Sequence, residues 1–338
     1  MTDNQLDFIE SLRQRVKYWM TDKFNVGDMW SETWKFLKYV VDLKEEDLKL
    51  IRIHAAFLGG ENPIAYWWST RRHVMQPYNF LIQDLPPEYH IGEPEIPEVS
   101  RQIGIRSAEG KLVNSDITRY QSVITILVES GLLSLLNNTA PSVICEIGSS
   151  YGGLALHLPQ FLKNPTYILV DLPGSLFLAG VYLTLNCPNA KIFIYDGESS
   201  LSEIYGNYDY ILIPHFALND LRSIPITLTV NVQSFQEMSE QEVREYVQFA
   251  CDNSIWLFSR NRSKHKWNEQ LPIRVEDILS EYFYLTPHKE LYEENIFATY
   301  EYFKSYIGYS KRFKKPPPLN GIMKVNKVNA EIYLKSFT

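Results

Sequence analysis

A short glycine-rich segment near the middle of the chain has the residue types of a nucleotide-binding turn. It runs from Glu146 to Gly153, reads EIGSSYGG, and overlaps the end of the apolar run Val143–Ile147. Glycines let the backbone approach a ligand without an intervening Cβ, and the helix that follows offers free N–H groups. The pattern predicts a strand, a tight turn and a helix that bind a nucleotide-containing cofactor.

The choice of cofactor depends on three acidic or small residues. Asp171 ends the next apolar run, 23 residues after Gly148, where a carboxylate can accept both hydroxyl hydrogens of a ribose. Nicotinamide dinucleotides favour G-x-G-x-x-G, but Ser150 stands at the middle glycine. Glu146 suits a cationic amino-acid ligand better than a pyrophosphate. We therefore expect S-adenosylmethionine, with an NAD(P)-dependent oxidoreductase as the alternative. A third reading is a turn that only packs helix on strand.

Methyl transfer from a sulfonium to a hydroxyl is an in-line displacement that needs alignment and a base. Glu237 is the first candidate for the base, because it follows the apolar run Thr227–Val232 and precedes a helix capped by Ser239. Gln236 is its immediate neighbour. The alternative is that Glu237 has no catalytic role and is a carboxylate near a helix N-terminus, where the helix macrodipole favours negative charge.

Three histidines are weaker candidates. His215 follows the apolar run Tyr210–Ile213 and has a suitable ordinary pKa, although a cofactor contact fits its position better. His265 lies in a polar segment that we expect to be a solvated loop. His157, among leucines, is expected to be an interior residue.

Five stretches between Val143 and Arg262 resemble one family. They are VICEIGSSYGGLALHL, YILVDLP, YDYILIPHFALNDL, TVNVQSFQEMSEQEVREYVQF and WLFSRNR. Together they resemble the sugar O-methyltransferases, within the class I S-adenosylmethionine-dependent methyltransferases. Ser149 and Ser150 stand where that family usually has glycines. Gln236 falls where many small-molecule O-methyltransferases carry a histidine base.

The resemblance implies an enzyme that methylates a hydroxyl of a sugar or a glycosylated small molecule. A methyltransferase-like protein without activity is the other outcome. The expected cofactor-binding residues are Glu146, Gly148, Ser149, Ser150, Tyr151, Gly152, Asp171, Leu172, Pro214 and Asn231. The expected acceptor-binding residues are Arg106, Arg119, Tyr120 and His265.

Short apolar runs that alternate with helical stretches must position these groups. The candidate strands are Val143–Ile147, Tyr167–Val170, Tyr210–Ile213, Thr227–Val232 and Ile255–Phe258, with 191–195 as a further run without an assigned place. Such alternation predicts an α/β fold, a Rossmann-like doubly wound and mostly parallel sheet.

Residues 1–138 are expected to form a mainly helical region with a loop-rich connector, and residues 139–338 the cofactor-binding domain. Helical periodicity extends over 34–57 and 120–136, whereas six prolines interrupt 61–115. The connector is expected to fold over the cofactor as a lid, and the N-terminal region to supply contacts for a homo-oligomer.

The composition narrows the kinds of molecule that the protein is expected to bind and the place where it is expected to work. A net charge of −7 does not favour binding to nucleic acid. No apolar run reaches the roughly 18 to 20 residues of a membrane span, and the first ten residues lack a secretory pattern, so we expect a cytoplasmic protein. The three cysteines are expected to be reduced and structural. No residue cluster has metal-ligand spacing, which predicts metal-independent transfer.

Overall fold

The computed structural model describes residues 1–21, 31–56, 71–95, 103–139, 141–262, 268–294 and 300–313. Within these ranges, 31–34, 71–73, 289–294 and 300–302 are described by their backbone alone.

An eight-stranded sheet forms the centre of the structure. The strands are β3 (Val143–Ile147), β4 (Thr166–Asp171), β5 (Ile192–Ile194), β6 (Tyr210–Pro214), β7 (Ile226–Val232), β8 (Ser254–Arg262), β9 (Phe283–Glu294) and β10 (Tyr300–Ser310). Their order is β5-β6-β4-β3-β7-β8-β10-β9. The first six strands in that order are parallel, and β10 is antiparallel to β8 and β9. The mostly parallel α/β sheet predicted from the sequence is confirmed.

The sheet is covered on both faces. Along β3 every residue is buried. Ile144 belongs to one hydrophobic cluster, and its neighbours Val143 and Cys145 belong to a second. Because side chains alternate between the faces of a strand, these two clusters lie on opposite sides of the sheet. This double burial explains why the strands appear in the sequence as continuous apolar runs.

Several strands extend beyond their predicted limits, and β9 and β10 were not predicted. The run 191–195, which had no assigned place, forms the edge strand β5 beside β6. The strand predicted over Ile255–Phe258 continues to Arg262, and Arg260 pairs in register with Val232 of β7. The polar residues at its end therefore belong to the sheet.

The helices are α1 (Asp3–Trp19), α2 (Ser31–Val41), α3 (Glu45–Leu48), α4 (Ile51–Ala56), α5 (Arg71–Ile82), α6 (Ser115–Glu129), α7 (Leu132–Asn138), α8 (Gly153–His157), α9 (Pro173–Asn186), α10 (Leu201–Ile204), α11 (Glu240–Asn253) and α12 (Val275–Tyr282). The single helix predicted over 120–136 is wrong. Gly131, with φ +75°, separates α6 from α7, since left-handed backbone ends a helix.

The N-terminal helices pack directly on the sheet domain. Leu12 of α1 and Leu37 of α2 lie against α9, where Gly180 and Gly174 leave them room. Both leucines belong to the same hydrophobic cluster as Ile144. The N-terminal helices and one face of the sheet therefore share a core.

The proline-rich segment contains more regular structure than expected. Helix α5 runs through Pro77, and β1 (Ile105–Arg106) pairs with β2 (Leu112–Val113) in a short hairpin. The three cysteines are free thiols, and two of them are buried. Among the helices that the structure describes, none is long and apolar enough to cross a bilayer.

Candidate functional site

The turn after β3 requires glycine at its first position. Gly148 has φ +77°, and a Cβ there would overlap the side chain of Ser234. Gly152, with φ +78°, is the residue immediately before α8. Ser150 also has a positive φ, of +52°, which costs a residue with a side chain on the order of 1 kcal/mol. The backbone between β3 and α8 is thus held in a strained, open turn.

Asp171 fixes this turn from the neighbouring strand. Its Oδ2 accepts the Ser150 backbone N–H at 2.6 Å, and its Oδ1 accepts the Leu172 N–H at 2.6 Å. Burial raises the pKa of Asp171 to about 6, although these hydrogen bonds favour the charged form. Pro214 of β6 pairs in register with Asp171. Two predicted cofactor residues from different strands therefore meet at one edge of the sheet.

Glu146 lies beneath the turn, on β3. Its side chain is buried, and its Oε2 accepts the Tyr167 hydroxyl hydrogen at 2.9 Å. Burial raises the pKa of Glu146 well above its ordinary value, and the nearby Asp171 raises it further. A cation placed beside Glu146 would offset both effects and favour the carboxylate.

Ser149 and Tyr151, on either side of Ser150, have different surroundings. The hydroxyl of Ser149 is buried and has no hydrogen-bond partner among the described residues. The ring of Tyr151 lies 4.4 Å from the Arg52 guanidinium and makes an edge contact with Tyr182. Tyr120 packs over the start of α8, where a Cβ on Gly153 would collide with its ring.

The segment after β7 is tied to the ends of two other strands. Asn231 donates from Nδ2 to the Ile147 carbonyl at 2.9 Å, and its Oδ1 accepts from Asn261 at 2.8 Å. Gln236 is buried, and its Oε1 accepts the Arg262 backbone N–H at 2.8 Å. Both side chains hold backbone in place, so the loop that carries Glu237 is rigidly positioned.

Glu237 ends a short 3₁₀ turn, Phe235–Glu237, and is half-buried. Burial raises its pKa to about 7, and Asp171 raises it as well, while Arg262, Arg119 and a hydrogen bond from Gln236 oppose the rise. The charges of the two arginines and the Gln236 hydrogen bond thus offset part of the effect of burial on this carboxyl group. A carboxylate with a pKa near neutrality can take a proton from a hydroxyl.

A buried ionic network connects this site to the N-terminal region. Arg52 of α4 is fully buried and bonds Glu93 at 2.7 and 3.1 Å. It also bonds Asp116 of α6 at 2.8 Å, and Asp116 holds Arg119 at 3.2 Å. Arg52 and Glu93 were not predicted, because neither residue lies in a sequence pattern that indicates a buried ion pair.

The remaining predicted residues lie elsewhere. His215 starts a 3₁₀ helix after β6, and β4 and β3 separate that strand from β7, which precedes Glu237. Arg106 is exposed on the hairpin and bonds Glu95 at 2.7 Å. His157 is buried, and burial lowers its pKa to about 4. His265 lies outside the described residues.

No group of three metal-ligating side chains occurs within the part of the chain that the structure describes.

Comparison with known proteins finds solved structures that have a similar fold. No family model and no curated protein matches the chain. Similar solved structures include WbdD, a bifunctional kinase-methyltransferase, with 12% identity over 69% of this chain and 46% of WbdD and a TM-score of 0.44. A precorrin-6y C5,15-methyltransferase from Geobacter metallireducens is 11% identical over 54% of this chain and 87% of its own, with a TM-score of 0.35.

The small RNA methyltransferase HEN1 is 12% identical over 56% of this chain and 26% of its own, with a TM-score of 0.36. The matched part is therefore less than half of WbdD and about a quarter of HEN1.

Proposed function

We propose that this chain is an S-adenosylmethionine-dependent O-methyltransferase. The observation that carries the proposal is that Asp171, at the end of β4, and Glu237, in the segment after β7, lie at the same carboxyl edge of a parallel sheet, where burial raises the pKa of Glu237 to about 7. Open α/β sheets bind ligands at this edge. A ribose-binding carboxylate and a base of nearly neutral pKa are the two groups that transfer to a hydroxyl requires.

The residues of the turn fit the proposed cofactor. Gly148 and Gly152 keep the backbone open, and the buried hydroxyl of Ser149 offers a hydrogen bond that no described residue takes. Glu146, buried beneath the turn, favours a cationic ligand. When bound, S-adenosylmethionine supplies a methyl group on a positively charged sulfur.

The chain's own task is to orient the acceptor and remove its proton. The backbone that carries Glu237 is held by the hydrogen bonds between Gln236 and Arg262 and between Phe235 and Asn231, so this segment does not have to be ordered when the acceptor binds. Glu237 accepts the hydroxyl hydrogen as the new carbon–oxygen bond forms. A positioned base of this kind contributes a factor of roughly 10² to 10⁴ to the rate.

The sugar acceptor rests on the resemblance of Val143–Arg262 to sugar O-methyltransferases. Among the predicted acceptor-binding residues, Arg119 is half-buried and lowers the pKa of Glu237. Arg106 pairs with Glu95 on the surface hairpin and is left out of the proposed acceptor site.

Calorimetric titration with S-adenosylmethionine, S-adenosylhomocysteine and NADH tests the proposal. We expect saturable 1:1 binding of the first two and no binding of NADH. Tight binding of NADH, with no heat from either sulfur compound, would establish an oxidoreductase instead. Turnover is then assayed by transfer of a labelled methyl group to free and nucleotide-linked sugars.

A further inference from the structure

One residue of the glycine turn is anchored by a helix of the N-terminal region. Tyr151 is almost fully buried, and the guanidinium of Arg52, in α4, lies 4.4 Å from the centre of its ring. Tyr182 of α9 makes an edge contact with the same ring, with 5.1 Å between the two ring centres. The side chain of Tyr151 is therefore held between a buried cation and a second aromatic ring.

The guanidinium of Arg52 is itself fixed in position and orientation. Its Nε and Nη2 donate to the two carboxylate oxygens of Glu93, at 2.7 and 3.1 Å, and Nη2 also donates to Asp116 at 2.8 Å. Glu93 accepts in addition from the hydroxyl of Tyr182 at 3.1 Å. A guanidinium bonded in this way presents a defined plane to its neighbours, which the point charge of a lysine does not. Arg52 is therefore a rigid support for the Tyr151 ring.

The backbone on either side of Tyr151 is left-handed and needs such a support. Ser150 has a φ of +52°, and Gly152 has a φ of +78°. A residue with a side chain stays in this conformation only where its surroundings hold it there. Asp171 of β4 holds the Ser150 N–H at 2.6 Å, and Arg52 holds the side chain of the next residue. Two adjacent residues of the turn are thus fixed by two distant parts of the chain.

Stability of the fold is a weak reason for burying Arg52. Apolar residues of similar volume often stabilise a protein as well as a buried ion pair does, or better. A guanidinium supplies a fixed geometry instead, and a cation–π contact removed from water is stronger than an exposed one. The contacts of Arg52 are therefore better suited to placing the Tyr151 ring than to filling the core.

We propose that Arg52 is a positioning residue for the cofactor, because it fixes the Tyr151 ring and so holds the turn in the form that binds S-adenosylmethionine. The inference rests on the proposed function, in which this turn binds the cofactor. It gives α4, a helix of the N-terminal region, a part in cofactor affinity.

Calorimetric titration with S-adenosylhomocysteine tests the inference in Arg52→Lys, which keeps the positive charge and loses the planar guanidinium. We expect the Kd to rise about tenfold or more, because lysine cannot stack on Tyr151 and bond both carboxylates at once. Urea unfolding shows the conditions under which the variant is fully folded, and the titration is made there. A Kd equal to that of the unmodified protein would overturn the inference.

Arg13→Lys is the matched control. Arg13, in α1, also belongs to the N-terminal region, and its guanidinium lies 5.1 Å from the ring of Phe177 in α9, outside the turn. This variant loses the same kind of contact and should bind S-adenosylhomocysteine with unchanged affinity. An equal rise of the Kd in both lysine variants would mean that the contact with the turn has no special effect.

A second substitution separates positioning from a general effect on the protein. Tyr151→Leu removes the ring on which Arg52 acts, so adding Arg52→Lys to it should raise the Kd no further. If Arg52→Lys raises the Kd by the same factor with and without the Tyr151 ring, Arg52 does not act through this ring and the inference is wrong.

Hydrogen exchange in the unmodified protein gives a test that needs no variant. Saturating S-adenosylhomocysteine should slow exchange in α4 more than in α1, because the coupling between the cofactor and Arg52 is reciprocal. Unchanged exchange in α4 would contradict the inference. Absence of S-adenosylhomocysteine binding to the unmodified protein would defeat the proposed function and this inference together, whereas normal binding with an unaffected Arg52→Lys variant defeats the inference alone.

Discussion

The Asp171 carboxylate accepts the backbone N–H of Ser150 at 2.6 Å, which joins the end of β4 to the turn that follows β3. The second carboxylate oxygen is bonded to the Leu172 N–H at the same distance. Asp171 therefore shapes the turn before any ligand arrives, and its remaining lone pairs are available to ribose hydroxyls. One side chain both builds and completes the proposed cofactor site.

Replacing Asp171 with asparagine should weaken cofactor binding more than it weakens the fold. The Oδ1 of asparagine still accepts one N–H, but its Nδ2 is a donor and cannot accept the other, so one of the two backbone hydrogen bonds is lost. We expect the Kd for S-adenosylhomocysteine to rise about tenfold or more, as measured by calorimetry.

Asp209→Asn is the control for that experiment. Asp209 is exposed and accepts the Lys191 N–H at 2.7 Å, a similar bond at a different place in the sheet. This variant should bind the cofactor normally. An equal loss of affinity in both variants would mean that Asp171 has no special role.

The turn itself makes a second prediction, about Gly148. Gly148→Ala combines a φ of +77° with an overlap against Ser234, whereas Gly110→Ala meets a φ of +81° with open space around it. The free energy of unfolding of each variant is measured in urea and compared with that of the unmodified protein. The difference between the two losses gives the contribution of the overlap with Ser234. We expect the Gly110 variant to lose about 1 kcal/mol and the Gly148 variant at least about 2 kcal/mol more.

Removing the Ser234 side chain checks the cause. Adding Ser234→Gly to the Gly148→Ala variant should recover part of the lost stability and of the cofactor binding. If the double variant is no better than the single one, contact with Ser234 is not the reason for the glycine.

The parallel strands and this turn could be predicted because their signals are local, whereas β9 and β10 were not predicted. Burial on both faces makes the run Val143–Ile147 continuously apolar, and a left-handed φ selects glycine at position 148. The spacing of Asp171 from Gly148 indicated its place at the end of the next strand. Its hydrogen bonds to backbone N–H groups could not be predicted from the sequence. Local rules thus recovered the frame of the site but not its hydrogen bonding.

The ionic network could not be predicted because its members are distant in sequence. Arg52 meets Glu93 and Asp116 across 41 and 64 residues. A lone arginine in a helix is ordinarily expected at the surface, and only tertiary packing shows that Arg52 is buried. The helix break at Gly131 was missed for a different reason, since the apolar period continues on both sides of it.

The raised pKa of Glu237 predicts a particular dependence of stability on pH. The folded protein keeps the Glu237 proton up to about pH 7, whereas an ordinary glutamate releases it near 4.5. The stabilisation from that proton is complete below about pH 4.5 and is lost as the pH rises through 7. Glu237→Gln has no such titration, so its stability relative to the unmodified protein should improve between pH 4 and 8 by on the order of 3 kcal/mol.

Urea unfolding at several pH values measures this difference. Arg119, Arg262 and Asp171 are unchanged in the variant, so their own contributions largely cancel. Glu245→Gln, on the exposed face of α11, is the matched control for replacing a glutamate with glutamine. A constant difference between Glu237→Gln and the unmodified protein would show that Glu237 titrates as an ordinary glutamate.

The Arg52 network predicts that a buried ion pair contributes more to stability than a surface ion pair of similar geometry. Arg52 and Glu93 bond at 2.7 and 3.1 Å inside the protein, and Arg106 and Glu95 bond at 2.7 and 2.9 Å on its surface. Arg52→Met leaves Glu93 as a buried anion without its cationic partner and leaves Asp116 with Arg119 alone, which should cost about 3 to 5 kcal/mol of unfolding free energy.

Arg106→Met should change the stability little, because solvent screens the surface pair. Combining Arg52→Met with Glu93→Gln and Asp116→Asn should restore part of the loss, since it removes the uncompensated charge. The triple variant should still bind cofactor weakly, because Tyr151 loses the guanidinium that lies 4.4 Å from its ring. If Arg52→Met is no more harmful than Arg106→Met, the network contributes nothing to the stability of the fold, and Arg119 must be positioned in another way.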